Sequence, residues 1–128
     1  MGTIFSKIVA GEIPCHRIDE NEEFLAFLDV FPLIEGHTLV IPKKETDYIF
    51  DMESSEYMRL WGFAQKVAKK LKEKVDCKRI GIAVIGLEVA HAHIHLVPIN
   101  EVSDINFEKE KLNLSQEELS SIANQINA

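Results

Sequence analysis

Cysteine is scarce in this chain of 128 residues: there are two, Cys15 and Cys77. They form no Cys-x-x-Cys pair and no disulfide framework, so the expectation is a reduced, cytoplasmic protein with two ordinary thiols. Long apolar runs are also missing. None approaches the about 20 residues that a membrane-spanning helix needs. The N-terminus lacks the basic-then-apolar pattern of a secretory signal, so no membrane partner is expected. Positive charge is short too. The net charge is −7, which argues against a general nucleic-acid binder or an anionic-membrane binder. A small phosphate ligand stays open, because local donors can hold an anion on an acidic protein. Repeats, low-complexity stretches and linkers are absent.

What is present suits one compact domain. Hydrophobic residues make up 46% and charged residues 27% of the chain, and the length allows a real core. Residues 3–9 can open as a short helical turn, and Gly11-Glu12-Ile13-Pro14 reads as a turn. Cys15 to Asp19 and Phe24 to Leu28 read as a hairpin across a polar turn, broken by Phe31-Pro32. Gly36 to Pro42 is a third strand. Ser54 to Val75 is the main helix, with Tyr57, Leu60, Trp61, Ala64, Val67, Ala68, Leu71 and Val75 on one stripe. Its lysines, Lys66, Lys69, Lys70, Lys72 and Lys74, read as a solvated face. Arg79 to Ile85 and Val89 to Ile99 are predicted as the fourth and fifth strands, around a turn at Gly86-Leu87-Glu88. Ser115 and Glu118 form a capping-box pattern that opens a terminal helix carrying Leu119, Ile122 and Ile126. The fold class is α+β, with a mainly antiparallel sheet of about five strands.

The densest chemistry lies at His91-Ala92-His93-Ile94-His95-Leu96-Val97-Pro98, where three of the five histidines recur at every second residue. On a strand they share one face, with Ala92, Ile94 and Leu96 behind. Imidazole can attack phosphorus, move protons near neutral pH and bind metals. A lone strand histidine is usually a satisfied core residue, but three in register are much less easily an accident. Two residues of strand advance about 6.6 Å, so His91 and His95 start about 13 Å apart. One zinc, with bonds of about 2.0–2.1 Å, does not easily gather all three rings. A central nucleophile with two flanking helpers fits the spacing better.

This stretch resembles the signature of the histidine-triad (HIT) family. The likeness extends to Ile4-Phe5-Ser6-Lys7-Ile8-Val9-Ala10-Gly11-Glu12-Ile13-Pro14, which looks like the opening of the family's Hint-like branch. It continues through Leu25-Ala26-Phe27-Leu28-Asp29-Val30-Phe31-Pro32 and Gly36-His37-Thr38-Leu39-Val40-Ile41-Pro42-Lys43-Lys44, in family order. The resemblance implies a single HIT-like domain over residues 1–128, with its core at about 3–99 and a C-terminal extension with a helix at about 100–128. It implies cleavage at the α-phosphate of a nucleoside phosphoramidate or related nucleotide conjugate, through a covalent nucleotidyl-histidine. His93 is then the nucleophile and His91 and His95 flank the phosphate. His37 corresponds to a fourth histidine behind the triad. Asp29 corresponds to the ribose-binding acid, and Ile4, Phe5, Ile8, Phe27 and Val30 to the base pocket. Gly86 and Glu88, in the turn before the triad, complete the expected nucleotide contacts. The implied partners are a purine nucleotide or conjugate and a second copy of the chain in a homodimer. No cofactor is implied.

Three departures stand out. Many bacterial relatives bind structural zinc through an early Cys-x-x-Cys and a later histidine, and here those positions hold Thr3, Ser6 and Glu45. Neither hydroxyl forms a thiolate, so no metal is expected there. Residues 80–89 lack the family's Asn and Gly-Gln, and Leu87 stands where a polar phosphate contact belongs. Backbone N–H groups around Gly86 can substitute. The tail from Glu101 onward matches no family element, and its helix is expected to pack on the domain or across a dimer. Two other readings stay open: a nucleotide-binding or protein-interaction module with vestigial activity, and a His-ligated metalloenzyme.

Overall fold

Residues 2–128 are described by a computed structural model. The strands are β1 (Arg17–Glu20), β2 (Phe24–Leu28), β3 (Thr38–Pro42), β4 (Arg79–Ala83) and β5 (Ile94–Ile99). They form one sheet in the order β1-β2-β3-β5-β4, antiparallel at every pairing. Helices α1 (Ile4–Val9), α2 (Ser54–Lys74) and α3 (Gln116–Asn127) complete it.

The period of two in the central strands sorts side chains between two cores. In β2, Phe24, Ala26 and Leu28 face the core shared with α2, whereas Leu25 and Phe27 face α1. In β3, Val40 joins the first group, and Leu39 and Ile41 the second. This double burial explains why every residue of β2 and β3 is buried. The β1–β2 turn is set by Asn21, whose Oδ1 accepts the N–H groups of Glu23 at 2.9 Å and Phe24 at 2.8 Å, an Asx turn.

Helix α2 buries Leu60, Phe63, Ala64, Val67 and Leu71, the predicted stripe with Phe63 added and Tyr57, Trp61 and Val75 only half-buried at its margins. Burying each large apolar side chain is worth about 1.5–3 kcal/mol. Lys66, Lys69 and Lys72 are exposed, as a solvated face requires. Lys70 departs from that reading: its ammonium donates to the Ile18 carbonyl and to Asn127 Oδ1, tying α2 to β1 and α3. The capping box forms: Ser115 Oγ accepts Glu118 N–H at 3.1 Å, and Ser115 N–H donates to Glu118 Oε1 at 3.0 Å. Leu119, Ala123 and Ile126 then enter the same core as α2, so the tail helix packs on its own chain.

Several predicted boundaries are corrected. The fifth strand starts at Ile94 rather than Val89. Pairing with β3 ends at Val40 opposite Ile94. Beyond it the backbone leaves the ladder, as Ala92 N–H donates to Thr46 O at 2.6 Å. The third strand starts at Thr38, because Gly36, at φ 96°, belongs to a turn closed by His37 N–H to Ile34 O at 3.1 Å. The first strand starts at Arg17, two residues later than predicted, and ends at Glu20, one later, and the fourth ends at Ala83. Among the described residues no helix is long and apolar enough to cross a membrane.

Because Ile126 is 0% exposed in the shared core, Ile126→Ala should destabilise the protein by about 2–5 kcal/mol. Urea unfolding checks this, and a loss below about 0.5 kcal/mol would mean that α3 is not part of the cooperative core.

Candidate active site

The α1 side of the sheet holds a cavity of about 500 Å³. Ile4, Phe5, Ile8, Phe27 and Val30 line it, together with Asp29, His37, His93 and His95, and Gly86 and Glu88 join them. The structure thus brings together every predicted site residue except His91. A larger, more open groove of about 1220 Å³ runs along β1 and α3, but none of the triad histidines lines it.

The protons of the buried histidines follow from their partners. Leu33 N–H donates to His37 Nδ1 at 3.0 Å. That nitrogen is an acceptor, so the proton of neutral His37 sits on Nε2. His37 Nε2 lies 3.0 Å from His95 Nδ1 and donates to it. His95 therefore carries its own proton on Nε2, on the ring edge left for the cavity. Burial favours the neutral forms, pushing His37 down to about 4 and His95 to about 3. The unfolded chain, with histidines near 6.5, binds more protons over the interval between, so acidification through it costs stability from these two groups.

His93 has the opposite tautomer. Its Nδ1 lies 2.8 Å from the His91 carbonyl and must donate to it, which in the neutral ring leaves Nε2 bare. The two cavity-facing imidazoles thus differ in kind: His93 offers a lone pair and His95 an N–H. Their ring centroids are 4.9 Å apart, and Phe5 stands edge-on to His93 at 5.0 Å.

His91 is the correction. Its ring is 0% exposed and does not line the cavity, because the chain has left the ladder there. Its Nε2–H donates to the Pro42 carbonyl at 2.8 Å, and Nδ1 accepts from Thr3 Oγ1 at 3.0 Å. The predicted sharing of one strand face therefore fails for this residue. Its contribution reaches the cavity through the carbonyl that holds His93.

Asp29 Oδ1 accepts the N–H of Phe31 at 2.9 Å, and Oδ2 lies 3.7 Å from His37 Nε2. Burial pushes its carboxyl up. Ligand atoms of Asp29, His37 and His95 lie within 4.8 Å of one another, the spacing a metal would use. The hydrogen-bond chain opposes that use, since His37 Nε2 carries a proton and His95 Nδ1 is occupied by it.

Thr3, Ser6 and Glu45, the positions at which the family resemblance implies zinc ligands in other members, also converge. Thr3 Oγ1 caps α1 by accepting Ser6 N–H at 3.0 Å. Ser6 Oγ donates to Glu45 Oε1, and Thr3 N–H reaches the same oxygen at 3.3 Å. With His91 they form a closed hydrogen-bond network of two hydroxyls, a carboxylate and an imidazole. Its donors are spent on one another and include no thiolate, so they do not fit zinc.

Among the cavity residues that escaped the sequence reading are Phe107, Glu108 and Lys111, all from the segment before α3. Phe107 packs edge-on against His95 at 4.7 Å and His37 at 6.1 Å. An aromatic ring isolated in a charged tail was the available signal. Cys15 also lines the cavity. Its thiol is pushed up by burial, which keeps it protonated and unreactive.

Nitrogen-detected NMR at about pH 6 should show His37 and His95 as neutral rings, both in the Nε2–H tautomer. A protonated His37 or His95 at that pH would refute the hydrogen-bond chain. Metal analysis of the purified protein should find far less than one zinc per chain, and stoichiometric zinc would contradict the network at Thr3.

The HIT domain family matches residues 10–102 of the chain. An uncharacterised HIT-like protein of Borreliella burgdorferi is 34% identical, over 96% of this chain and 94% of that one. The adenosine 5′-monophosphoramidase of Schizosaccharomyces pombe is 30% identical, over 100% of this chain and 98% of its own length. Among solved structures, a HIT-like protein of Bartonella henselae described as involved in cell-cycle regulation superposes with a TM-score of 0.84 at 30% identity, covering 98% of this chain and 94% of that one. With the match spanning most of its length and the fold shared, the chain belongs to the histidine-triad family.

Proposed function

We propose that this protein is a nucleotide hydrolase or transferase that acts at the α-phosphate of nucleoside phosphoramidates or related conjugates, with His93 as covalent nucleophile. The observation that carries this reading is the bond from His93 Nδ1 to the His91 carbonyl at 2.8 Å. It leaves the Nε2 lone pair bare in a cavity that also offers the His95 N–H.

The nucleoside lies against the apolar wall of Phe5, Ile8 and Phe27, with the ribose hydroxyls near Asp29. His93 Nε2 attacks phosphorus as the P–N bond breaks, and the departing amine takes a proton from solvent. The new nucleotidyl-histidine is cationic and keeps Nδ1–H on the His91 carbonyl. Water then attacks phosphorus, the P–N bond to His93 breaks, and nucleotide and neutral imidazole are released with a proton. His95 Nε2–H donates to a phosphate oxygen as charge gathers there. No metal is needed. The similarity to the Schizosaccharomyces pombe phosphoramidase supports this choice of leaving group. The homodimer and cytoplasmic location implied by the family resemblance belong to the same proposal.

A second reading, a nucleotide-binding module with vestigial activity, has one observation in its favour. Leu87 is 89% exposed where a polar contact to phosphate is expected.

With EDTA present, the native protein should release AMP from adenosine 5′-phosphoramidate. His93→Ala should abolish release with the circular dichroism spectrum unchanged, and His95→Ala should lower it by about 10²–10³. Full turnover by His93→Ala would defeat the covalent mechanism. Tight AMP binding without turnover by the native protein would favour the second reading.

A further inference from the structure

The C-terminal extension does more than add a helix. Between the 3-10 turn Val102–Ile105 and α3, the chain folds back over the histidines. Leu112 N–H donates to the Pro32 carbonyl at 2.8 Å, pinning the segment beside the turn that follows β2. Phe107 then lies on His95, and Lys111 reaches back to the Phe107 carbonyl through Nζ at 2.7 Å.

The cavity has a charge problem that this lysine answers. A nucleotide brings at least one negative charge on phosphorus, and more gathers on the equatorial oxygens during attack. His37 and His95 are held neutral by burial and by the hydrogen-bond chain, so they donate but carry no charge. Asp29, Glu88 and Glu108 line the cavity with carboxylates. Lys111 is the one lysine or arginine on that wall. Its charge is felt at Asp29, His37 and His95. Among the described residues it belongs to no ion pair. An ammonium has three donors. One is used well at Phe107 O, and the contact to Lys109 O is long at 3.4 Å, so donor capacity remains. Leu87, on the segment before the triad, is 89% exposed and brings no hydrogen-bond donor to the phosphate.

We propose that Lys111, presented by the C-terminal extension, is a phosphate-binding residue of this active site, supplying the positive charge that the segment before the triad lacks. The inference rests on the nucleotide reading above. The carbonyl of Phe107 orients the ammonium, and the Phe107 ring excludes water from the histidines beneath, so the charge acts in a partly dry site where it counts for more. The ligand class is a nucleoside carrying a 5′-phosphoryl group. The nucleoside part alone gains nothing from Lys111.

Calorimetric titration of AMP and of adenosine into native protein, Lys111→Met and Lys111→Arg tests this. Native protein should prefer AMP. Lys111→Met should weaken AMP by about tenfold, the size of one partly exposed charged hydrogen bond, and leave adenosine unchanged. Lys111→Arg should keep most of the AMP affinity. Adenosine reports whether the cavity survives each substitution, so damage to the tail is seen separately from loss of charge. Unchanged AMP affinity in Lys111→Met overturns the proposal. Equal loss of AMP and adenosine overturns it too, because Lys111 would then only hold the tail in place. Native protein that does not prefer AMP to adenosine overturns the nucleotide reading, and this inference with it.

Discussion

The site depends on a single backbone donor. Leu33 N–H, fixed in the turn between β2 and β3, occupies one nitrogen of His37 and so decides the tautomer of two rings in series. The Asp29 carboxylate, 3.7 Å from His37 Nε2, favours the same proton position. With that donor in place, His95 must present N–H to the cavity. The His91 carbonyl imposes the reverse order on His93. Two chemically identical side chains two residues apart are thereby made unlike, one a base and one a donor. Burial reinforces the assignment, because a charged imidazole would be costly there.

Most of this architecture could be read from the residues. Short apolar runs bounded by turn residues marked β2 and β3 as strands, and the stripe on α2 and the Ser115–Glu118 pair marked helices. The resemblance to the histidine-triad family located Asp29, His37 and His93, and the structure gathers them. What escaped was long-range. Periodicity placed His91 on the same face as His93, because a period-two rule assumes an unbroken strand. The carbonyls of Pro42 and Thr46 draw that backbone off the ladder, and both are distant in sequence. Phe107 and Lys111 escaped for a related reason. Their tail matched no family pattern, and its path over the cavity is set by one bond to Pro32, which no local signal announces. Lys70 looked like any other surface lysine until β1 and α3 came within its reach.

The departures from the family pattern share a physical logic. Where the segment before the triad lost polar side chains, the tail brings a ring and a cation to the same cavity. At Thr3, Ser6 and Glu45 two hydroxyls and a carboxylate meet, and they brace the first triad histidine. Ser6 and Thr3 hold the Glu45 carboxyl below the usual range, so it stays ionised and remains an acceptor for both.

The network at Thr3 has a consequence for the environments this protein tolerates. Thiolates that hold a structural metal stand on the first rung of sulfur oxidation, and losing them to peroxide frees the metal and loosens whatever it braced. Hydroxyls, a carboxylate and an imidazole offer an oxidant no such target. The brace between α1, the end of β3 and His91 is therefore blind to redox state and to metal supply, and α1 forms one wall of the base pocket. The shape of that wall should persist under oxidative stress and metal starvation alike.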